Sequence, residues 1–312
     1  MQHTETMQKI INNVEKIITG KRDVIELALI SIISGGHVLV EDVPGVGKTS
    51  LVSAFARSID CSYKRIQFTP DVMPSDITGF SVWNPKIGDF EYKKGAVLNQ
   101  FVQADEINRT SSKTQASLLE VMEEKQVTVD SVTYPAPDPF IVFATQNPAD
   151  YVGTFLLPEA QLDRFFMRIS LGYPSPEDET RIVLSKNARS VKEQIGPVAS
   201  AADIIAISKA VDQVFLEESV GKYIVDLSHQ TRTHEAISLG ASPRASINLA
   251  KASRAWAFFK GRDYAMPDDV QKMAHCILGH RIFLKREAKY KNITTDEVIT
   301  QIINKTRVMR ER

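Results

Sequence analysis

Cysteine is scarce in this sequence, which contains only Cys61 and Cys276, far apart along the chain. Neither lies in a C-x-x-C pair, so the spacing excludes the common zinc and thiol-redox motifs and the disulfide frameworks of small secreted domains. Two isolated thiols are typical of proteins from a reducing compartment. The sequence therefore predicts a cytoplasmic protein.

Net charge and long apolar runs are absent as well. Lys and Arg total 38, Asp and Glu total 38, and the formal net charge is +0. This balance excludes bulk electrostatic attraction to nucleic acid or to an anionic membrane. The longest apolar run, residues 27–33, is interrupted by Ser31 and is too short to cross a bilayer. We therefore expect no membrane span. Residues 1–18 lack the apolar core of a secretory signal, so we expect no such signal either.

The remaining composition is that of an ordinary globular protein. The chain has 312 residues, of which 43% are hydrophobic and 24% charged, which is enough for two domains with apolar cores. Strand and helix patterns alternate up to a Pro- and Gly-containing break at residues 172–176, and only helical patterns follow. We predict an α/β domain over residues 1–172 and a smaller helical domain over residues 173–312.

A phosphate-binding loop follows the first predicted strand. Gly45, Gly47, Lys48 and Thr49 match the P-loop, in which backbone N–H groups at a helix N-terminus bind phosphate. Asp42 stands where that motif usually has its first glycine, so the turn must form without it. Lys48 is expected to reach the terminal phosphates and Thr49 to hold Mg²⁺. The predicted nucleotide-binding residues are Pro44, Gly45, Val46, Gly47, Lys48, Thr49 and Ser50.

Two adjacent acids end the strand predicted over residues 98–104. Asp105 is expected to orient a Mg²⁺-bound water, and Glu106 to activate the water that attacks the γ-phosphate. Gln103, just before them, is polar where a strand covered on both faces would carry an apolar residue. Its side chain faces the site, faces a neighbouring subunit or satisfies a backbone group.

Two polar residues further along are also candidates for the site. Asn147 follows a predicted strand at residues 140–144, at the sheet edge where ligands bind, and is expected to hold the attacking water or the γ-phosphate. The alternative is that it closes a turn before Pro148. Arg244 lies in the first turn of a predicted helix, where a cation opposes the helix dipole. We expect it to contact the γ-phosphate of its own subunit; the alternative is an exposed arginine.

The P-loop, Asp105–Glu106, Asn147, Arg164 and Arg244, in this order, resemble a MoxR-type AAA+ ATPase. The resemblance runs from about residue 17 to residue 284, and its most specific segments are residues 36–49, 104–109, 144–148 and 158–165. In that group an aspartate at position 42 is normal. The resemblance implies a P-loop AAA+ αβα nucleotide-binding domain with two hairpin insertions, and a smaller all-α lid. It also implies a ring of six identical subunits with ATP and Mg²⁺ between neighbours.

The resemblance further implies chaperone-like work: remodelling or activating a client protein, often one with a von Willebrand factor A domain. Arg164 lies on a segment that resembles the arginine-finger region of the family. An arginine supplied by a neighbouring subunit can stabilise the charge of the transferring phosphoryl group, so we expect Arg164 to act on the neighbour's ATP. A surface pairing of Arg164 with Asp163 or Glu159 is the alternative, and Arg109 is a second candidate for the same role.

Other functions are disfavoured. A nucleic-acid motor or loader is the main alternative, because related ring ATPases with similar hairpins move on DNA. The hairpins predicted at residues 77–92 and 127–134 carry only Lys86 as a base, however, which is unlike a loop that follows phosphates. A GTP switch would need an Asn-Lys-x-Asp motif, which the sequence lacks. A nucleotide-binding scaffold without turnover would not need Glu106.

Overall fold

The computed structural model describes residues 2–146, 155, 157–184 and 195–308. The first part of the chain contains α1 (Gln2–Glu15), α2 (Arg22–Ile33), β1 (Val38–Glu41), α3 (Lys48–Ser58), β2 (Tyr63–Gln67), α4 (Pro74–Thr78), β3 (Gly79–Asn84), β4 (Asp89–Lys94), β5 (Phe101–Asp105), α5 (Ser112–Glu124), β6 (Gln126–Val129), β7 (Val132–Pro135), β8 (Ile141–Gln146), α6 (Glu159–Leu162) and β9 (Met167–Ile169). The second part contains α7 (Pro176–Leu184), α8 (Ala201–Asp212), α9 (Glu218–Thr233), β10 (Ile237–Leu239), α10 (Pro243–Phe259), α11 (Pro267–Leu278), β11 (Phe283–Leu284), α12 (Arg286–Tyr290) and α13 (Thr295–Lys305).

A five-stranded parallel sheet organises the first part, in the order β2-β5-β8-β1-β9. Every residue of β5 and β8 is buried, because helices cover both faces of the sheet. Side chains of β5 alternate between two apolar clusters: Phe101 packs on the α3 side, and Val102 and Ala104 pack on the α5 side. The αβα arrangement expected from the sequence is confirmed.

The parallel order brings the carboxyl ends of the strands to one edge of the sheet. The P-loop follows β1, Glu106 follows β5, and Thr145 lies near the end of β8, the strand between them. In open α/β sheets this edge is where ligands bind. The fold therefore collects the predicted residues of the P-loop and of Asp105–Glu106 at one place.

Two antiparallel hairpins stand outside the sheet, β3–β4 and β6–β7. The first begins two residues later than the sequence predicted, since residues 77 and 78 belong to α4 rather than to the strand. Pro74 opens α4, and the Asp76 carboxylate accepts a hydrogen bond from the Met73 N–H at 2.9 Å, which stabilises the helix start.

The second part of the chain is mainly helical, as expected, with one addition. β10 and β11 form a short antiparallel pair in which Ile237 lies opposite Leu284, so this part is not purely helical. The pairing gives backbone hydrogen-bond partners to the two segments that follow α9 and α11. No helix in the described part of the chain is long and apolar enough to span a membrane.

The two parts share apolar contacts. α2 packs against α8 and α10, and one cluster of buried side chains continues from the α3 face of the sheet into the later helices. A division of the chain at residues 172 and 173 stays a prediction from the sequence.

Candidate active site

The P-loop connects the carboxyl end of β1 to the first turn of α3. Gly45 and Gly47 have positive φ angles of 86° and 96°, a conformation that residues with side chains rarely adopt. The Leu51 N–H donates to the Gly47 carbonyl at 3.0 Å, which is the first helical hydrogen bond of α3. The N–H groups of Lys48, Thr49 and Ser50 therefore have no acceptor within the helix and form a site suited to an anion.

Lys48 lies at the centre of this loop. Its Nζ donates a hydrogen bond to the Asp42 carbonyl oxygen at 2.8 Å. Burial lowers the pKa of Lys48 because it penalises the ammonium form, while the charges of Asp42, Asp105 and Glu106 act in the opposite direction. The three carboxylates thus help to keep a cation where phosphate would bind.

Asp42 replaces the first glycine of the motif and makes the turn with its side chain. Its Oδ1 accepts from the Val43 N–H at 3.0 Å. Its Oδ2 accepts from the Ser170 hydroxyl at 3.1 Å and from the N–H groups of Leu171 and Gly172 at 2.5 and 2.8 Å. Asp42 therefore fastens the start of the P-loop to the segment that leaves β9 for the helical part.

We expect Asp42→Ala to lower the free energy of unfolding by about 3 kcal/mol, because the buried Leu171 N–H and its neighbours lose their acceptor. Urea unfolding followed by circular dichroism measures the change. Asp212→Ala removes an exposed carboxylate at the end of α8 and is the matched control, with an expected change close to zero. Equal unfolding midpoints for the two variants would contradict the role given to Asp42.

Asp105, the last residue of β5, is buried and held from three sides. Arg65 Nε donates to Oδ2 at 2.6 Å, and Gln103 Nε2 donates to Oδ1 at 2.7 Å. The Thr145 hydroxyl lies 3.4 Å from Oδ1. These contacts fix the carboxylate beside the P-loop before any ligand is bound.

Glu106 follows with φ 54° and ψ 50°, a left-handed conformation that is unusual for glutamate. Its N–H donates to the Thr145 hydroxyl at 2.8 Å, which holds the backbone in this turn. The carboxylate of Glu106 pairs with Arg109, with 2.7 Å between Oε2 and Nη1. The turn directs the Glu106 side chain away from the strand and into the cavity beside the P-loop.

A cavity of about 330 Å³ brings these groups together. A second cavity, of about 310 Å³, adjoins it and shares Gly45 and Gly47 with the first. The first is lined by Pro44, Gly45, Gly47, Lys48, Thr49, Arg65, Gln67, Asp105, Glu106 and Thr145. The second contains the apolar side chains Ile17, Ile18, Val46, Pro174 and Ile182, with the cations Lys16, Lys21 and Arg181 beside them. A polar chamber next to a more apolar one suits the phosphates and the base of one nucleotide.

Several residues of these cavities had not been predicted. Thr145 could have been found, because it ends a buried strand at the ligand-binding edge of the sheet. Arg65 and Gln67 lie on the exposed edge strand β2, and their pattern resembles that of any solvated strand. Asn147 lies outside the residues that the structure describes, so its predicted role stays a prediction.

Arg164 and Arg244 lie elsewhere. Both pair with Glu123, at the end of α5: Arg164 Nε is 3.1 Å from Oε2, and Arg244 Nη2 is 2.5 Å from Oε1. A separate cavity of about 240 Å³ beside them is lined by Gly36 and His37, which precede β1. The P-loop follows the opposite end of β1, a four-residue strand that is about 13 Å long.

His37 holds together the region where the end of α5 meets the start of β1. Its Nδ1 accepts from the Val142 N–H at 3.0 Å, so the neutral ring carries its proton on Nε2 and donates it to the Met122 carbonyl at 3.0 Å. Burial lowers the pKa of His37 to about 4, which keeps the ring neutral. The hydrogen bond to Met122 thereby connects the start of β1 to the end of α5, next to Glu123.

The structure places Arg244 beside Glu123, and its expected contact with the nucleotide of its own subunit stays a prediction. Within the described residues, Arg244 is absent from the lining of both P-loop cavities. The reason is topological: α10 begins beside α5 and Asp163, where the Ser242 hydroxyl donates to the Asp163 carboxylate at 2.9 Å. Its first turn consequently faces the amino-terminal edge of the sheet.

The residues at the P-loop suit a magnesium ion that also binds phosphate. The Thr49 hydroxyl and the Asp105 carboxylate both contact the amide of Gln103, and they are the hard oxygen donors that Mg²⁺ prefers. No group of three or more His, Cys, Asp or Glu that could hold a metal exists in the described part of the chain. Mg²⁺ would accordingly take its other ligands from phosphate and water.

Comparison with known proteins agrees with this geometry. Residues 37–167 match the family model of the ATPases associated with various cellular activities (AAA), and residues 229–302 match the AAA lid domain. A crystal structure of a candidate ATPase from Cytophaga hutchinsonii aligns with a TM-score of 0.91 at 40% identity, covering 99% of this chain and 96% of that one.

Three relatives are similar in sequence to most of this chain. Chaperone MoxR1 of Mycobacterium tuberculosis is 38% identical over 307 residues, covering 96% of this chain and 81% of that protein. Protein MoxR of Methylorubrum extorquens is 30% identical over 304 residues, covering 87% of this chain and 86% of that protein. The uncharacterized protein YeaC of Bacillus subtilis is 46% identical over 304 residues, covering 97% and 95%.

Proposed function

The chain belongs to the MoxR family of AAA+ ATPases, and we propose that it is a Mg²⁺-dependent ATPase that remodels or activates a client protein. One observation carries the proposal. A single cavity at the carboxyl edge of the sheet contains the P-loop cation Lys48, the hydroxyl of Thr49 and the carboxylates of Asp105 and Glu106. These are the groups that phosphoryl transfer to water requires.

ATP would bind across the two adjoining cavities. The N–H groups of Lys48, Thr49 and Ser50 and the ammonium of Lys48 would bind the phosphates. The base would lie among Ile17, Ile18 and Ile182, in the apolar cavity. Since Arg181 and Ile182 belong to α7, which follows the predicted domain boundary at residues 172 and 173, the bound nucleotide would touch both parts of the chain.

Thr49 and Asp105 are the residues that would hold Mg²⁺, and the ion when bound would neutralise charge on the phosphate oxygens. Glu106 would accept a proton from the attacking water. In the structure its carboxylate is paired with Arg109, so Glu106 must exchange that partner for water before it acts. Arg109 is thereby engaged at the site of its own subunit, which favours Arg164 for the role on a neighbour.

Ring assembly is supported by the position of Arg164 and Arg244. Both arginines lie on the far side of the subunit from its own P-loop and remain partly exposed, at 31% and 43% of the side chain. We propose that this face meets the P-loop cavity of the next subunit in a ring, most simply a hexamer. Arg244 is accordingly reassigned from its own nucleotide to the neighbour's, alongside Arg164.

The β3–β4 hairpin supports a protein as the client. Phe80, Trp83, Ile87 and Phe90 are 47%, 54%, 62% and 65% exposed. The hairpin also carries three exposed lysines, Lys86, Lys93 and Lys94, of which Lys93 is paired with Glu91 at 2.6 Å. An apolar surface of this kind favours contact with a polypeptide over contact with phosphates. We propose a cytoplasmic client that carries a von Willebrand factor A domain. An increase in turnover on addition of DNA would instead favour the nucleic-acid motor.

We expect Glu106→Gln to bind ATP but to lose about 10²- to 10⁴-fold in turnover, because the amide keeps the shape of the side chain and cannot accept a proton. Steady-state phosphate release and calorimetry measure the two properties. Glu120→Gln changes an exposed residue of α5 and serves as the control. Phosphate release by Glu106→Gln at the parent rate would require another general base.

A further inference from the structure

Gln103 is fully buried in β5, at a position where the central strand of such a sheet would carry an apolar side chain. Its Nε2 donates to Thr49 Oγ1 at 2.9 Å and to Asp105 Oδ1 at 2.7 Å. Its Oε1 accepts from the Tyr63 hydroxyl at 2.6 Å. One amide thus joins the P-loop threonine to the acid that ends β5.

The orientation of this amide follows from its partners. An ionised aspartate can only accept hydrogen bonds, so the NH₂ group of Gln103 must face Asp105. The carbonyl oxygen then faces Tyr63, whose hydroxyl can donate to it. Both hydrogens of the amide are used, one on Thr49 and one on Asp105, and these two contacts hold the amide in this orientation.

The contacts leave room for a cation. A threonine hydroxyl has two acceptor lone pairs, and Gln103 uses one of those on Thr49. The carboxylate of Asp105 has about four acceptor positions. One donor at 2.7 Å or less contacts each oxygen, so acceptor positions remain for a metal ion. Since donors on opposite oxygens hold the carboxylate, its position relative to Thr49 is set without metal.

We propose that Gln103 is a positioning residue that fixes the Thr49 hydroxyl and the Asp105 carboxylate at the spacing needed by a nucleotide-bound Mg²⁺. The proposal rests on the proposed ATPase function. Without Gln103, Thr49 loses its donor, and Asp105 keeps only the Arg65 contact at 2.6 Å and the Thr145 contact at 3.4 Å among the described residues. Arg65 approaches from the edge strand β2, and the two metal-binding oxygens would no longer share a common partner.

The test compares nucleotide affinity with and without metal. The ratio of ADP affinities at saturating Mg²⁺ and in EDTA measures the coupling between the metal and the nucleotide. We expect Gln103→Leu to lower this ratio about tenfold, the size of one hydrogen bond to a charged group, while the affinity in EDTA is unchanged. Tyr63→Phe removes only the contact to Oε1, and its ratio should stay within about twofold of the parent.

Gln115→Leu is the matched control. Gln115 is also a fully buried glutamine, and its amide donates only to the backbone carbonyls of Ile107, Thr110 and Phe155 among the described residues. This variant should unfold at lower urea concentration and keep the parent ratio. A general loosening of the fold would instead lower the ratio in both glutamine variants, which would overturn the proposal.

The outcomes separate the two hypotheses. If the parent protein binds no nucleotide in either buffer, the ATPase proposal fails, and the role of Gln103 fails with it. If the parent binds Mg²⁺-ADP and Gln103→Leu shows the parent ratio, the ATPase proposal stands and the positioning role is overturned. Calorimetric titration with ADP gives both affinities without depending on turnover.

Discussion

Lys48→Ala is expected to weaken ATP binding by at least about a hundredfold, because it removes the ammonium group that bonds the terminal phosphates. The fold should be retained, since the side chain is only partly buried and its one polar contact within the described residues is the Asp42 carbonyl. The loop itself is shaped by Gly45, Gly47 and Asp42, which the substitution leaves in place. Calorimetric titration with ATP measures the change.

Lys64→Ala is the matched control for this experiment. Lys64 lies on the edge strand β2, is exposed and does not line the P-loop cavity. Its loss removes the same formal charge from the protein without touching the phosphate site. An ATP affinity of Lys48→Ala equal to that of Lys64→Ala would remove the P-loop assignment.

Local chemistry made the central part of the fold predictable. The P-loop is specified by Gly45 and Gly47, because only glycine adopts their φ angles without strain. Asp105 and Glu106 end a strand that is apolar except for Gln103, and parallel strands place their carboxyl ends together. Short segments with strict conformational demands therefore predicted that the P-loop and Asp105–Glu106 lie together at one edge of the sheet.

Contacts between distant segments were less predictable. Arg244 was correctly placed in the first turn of a helix, but the direction of that turn depends on the contact of Ser242 with Asp163, 79 positions earlier in the chain. The short pair β10–β11 likewise joins segments that are separated by two helices. Sequence spacing reports which residues share a helix face, and it carries no information on which distant surface that face meets.

The same limit applied to Gln103. The sequence showed only that a polar residue stood in an apolar strand, and three readings were open. The structure supports the reading in which it faces the site, because a buried amide needs partners and Thr49, Asp105 and Tyr63 supply them. A departure from an apolar pattern was therefore a signal of the site, although its partners could not be read from the sequence.

Among residues that lie away from the P-loop of their own subunit, Arg164 is expected to have the largest effect on ATP turnover. An arginine supplied in trans can raise the rate of phosphoryl transfer by about 10³ to 10⁵. In the subunit described here, Glu123 pairs with both Arg164 and Arg244, so the two cations are held together near the surface. We expect them to exchange Glu123 for the γ-phosphate of a neighbouring subunit. Arg164→Ala and Arg244→Ala should each lose turnover and keep ATP binding.

A mixing experiment tests whether these arginines act in trans. Arg164→Ala and Glu106→Gln proteins, each inactive alone, should regain hydrolysis when they assemble together. In an equal mixture roughly a quarter of the interfaces combine an intact Glu106 with an intact Arg164 from the neighbour. Lys48→Ala mixed with Glu106→Gln is the control, because both changes affect the same side of the interface and every site stays incomplete. Mixed rings of Arg164→Ala and Glu106→Gln that stay as inactive as this control would overturn the trans role of Arg164.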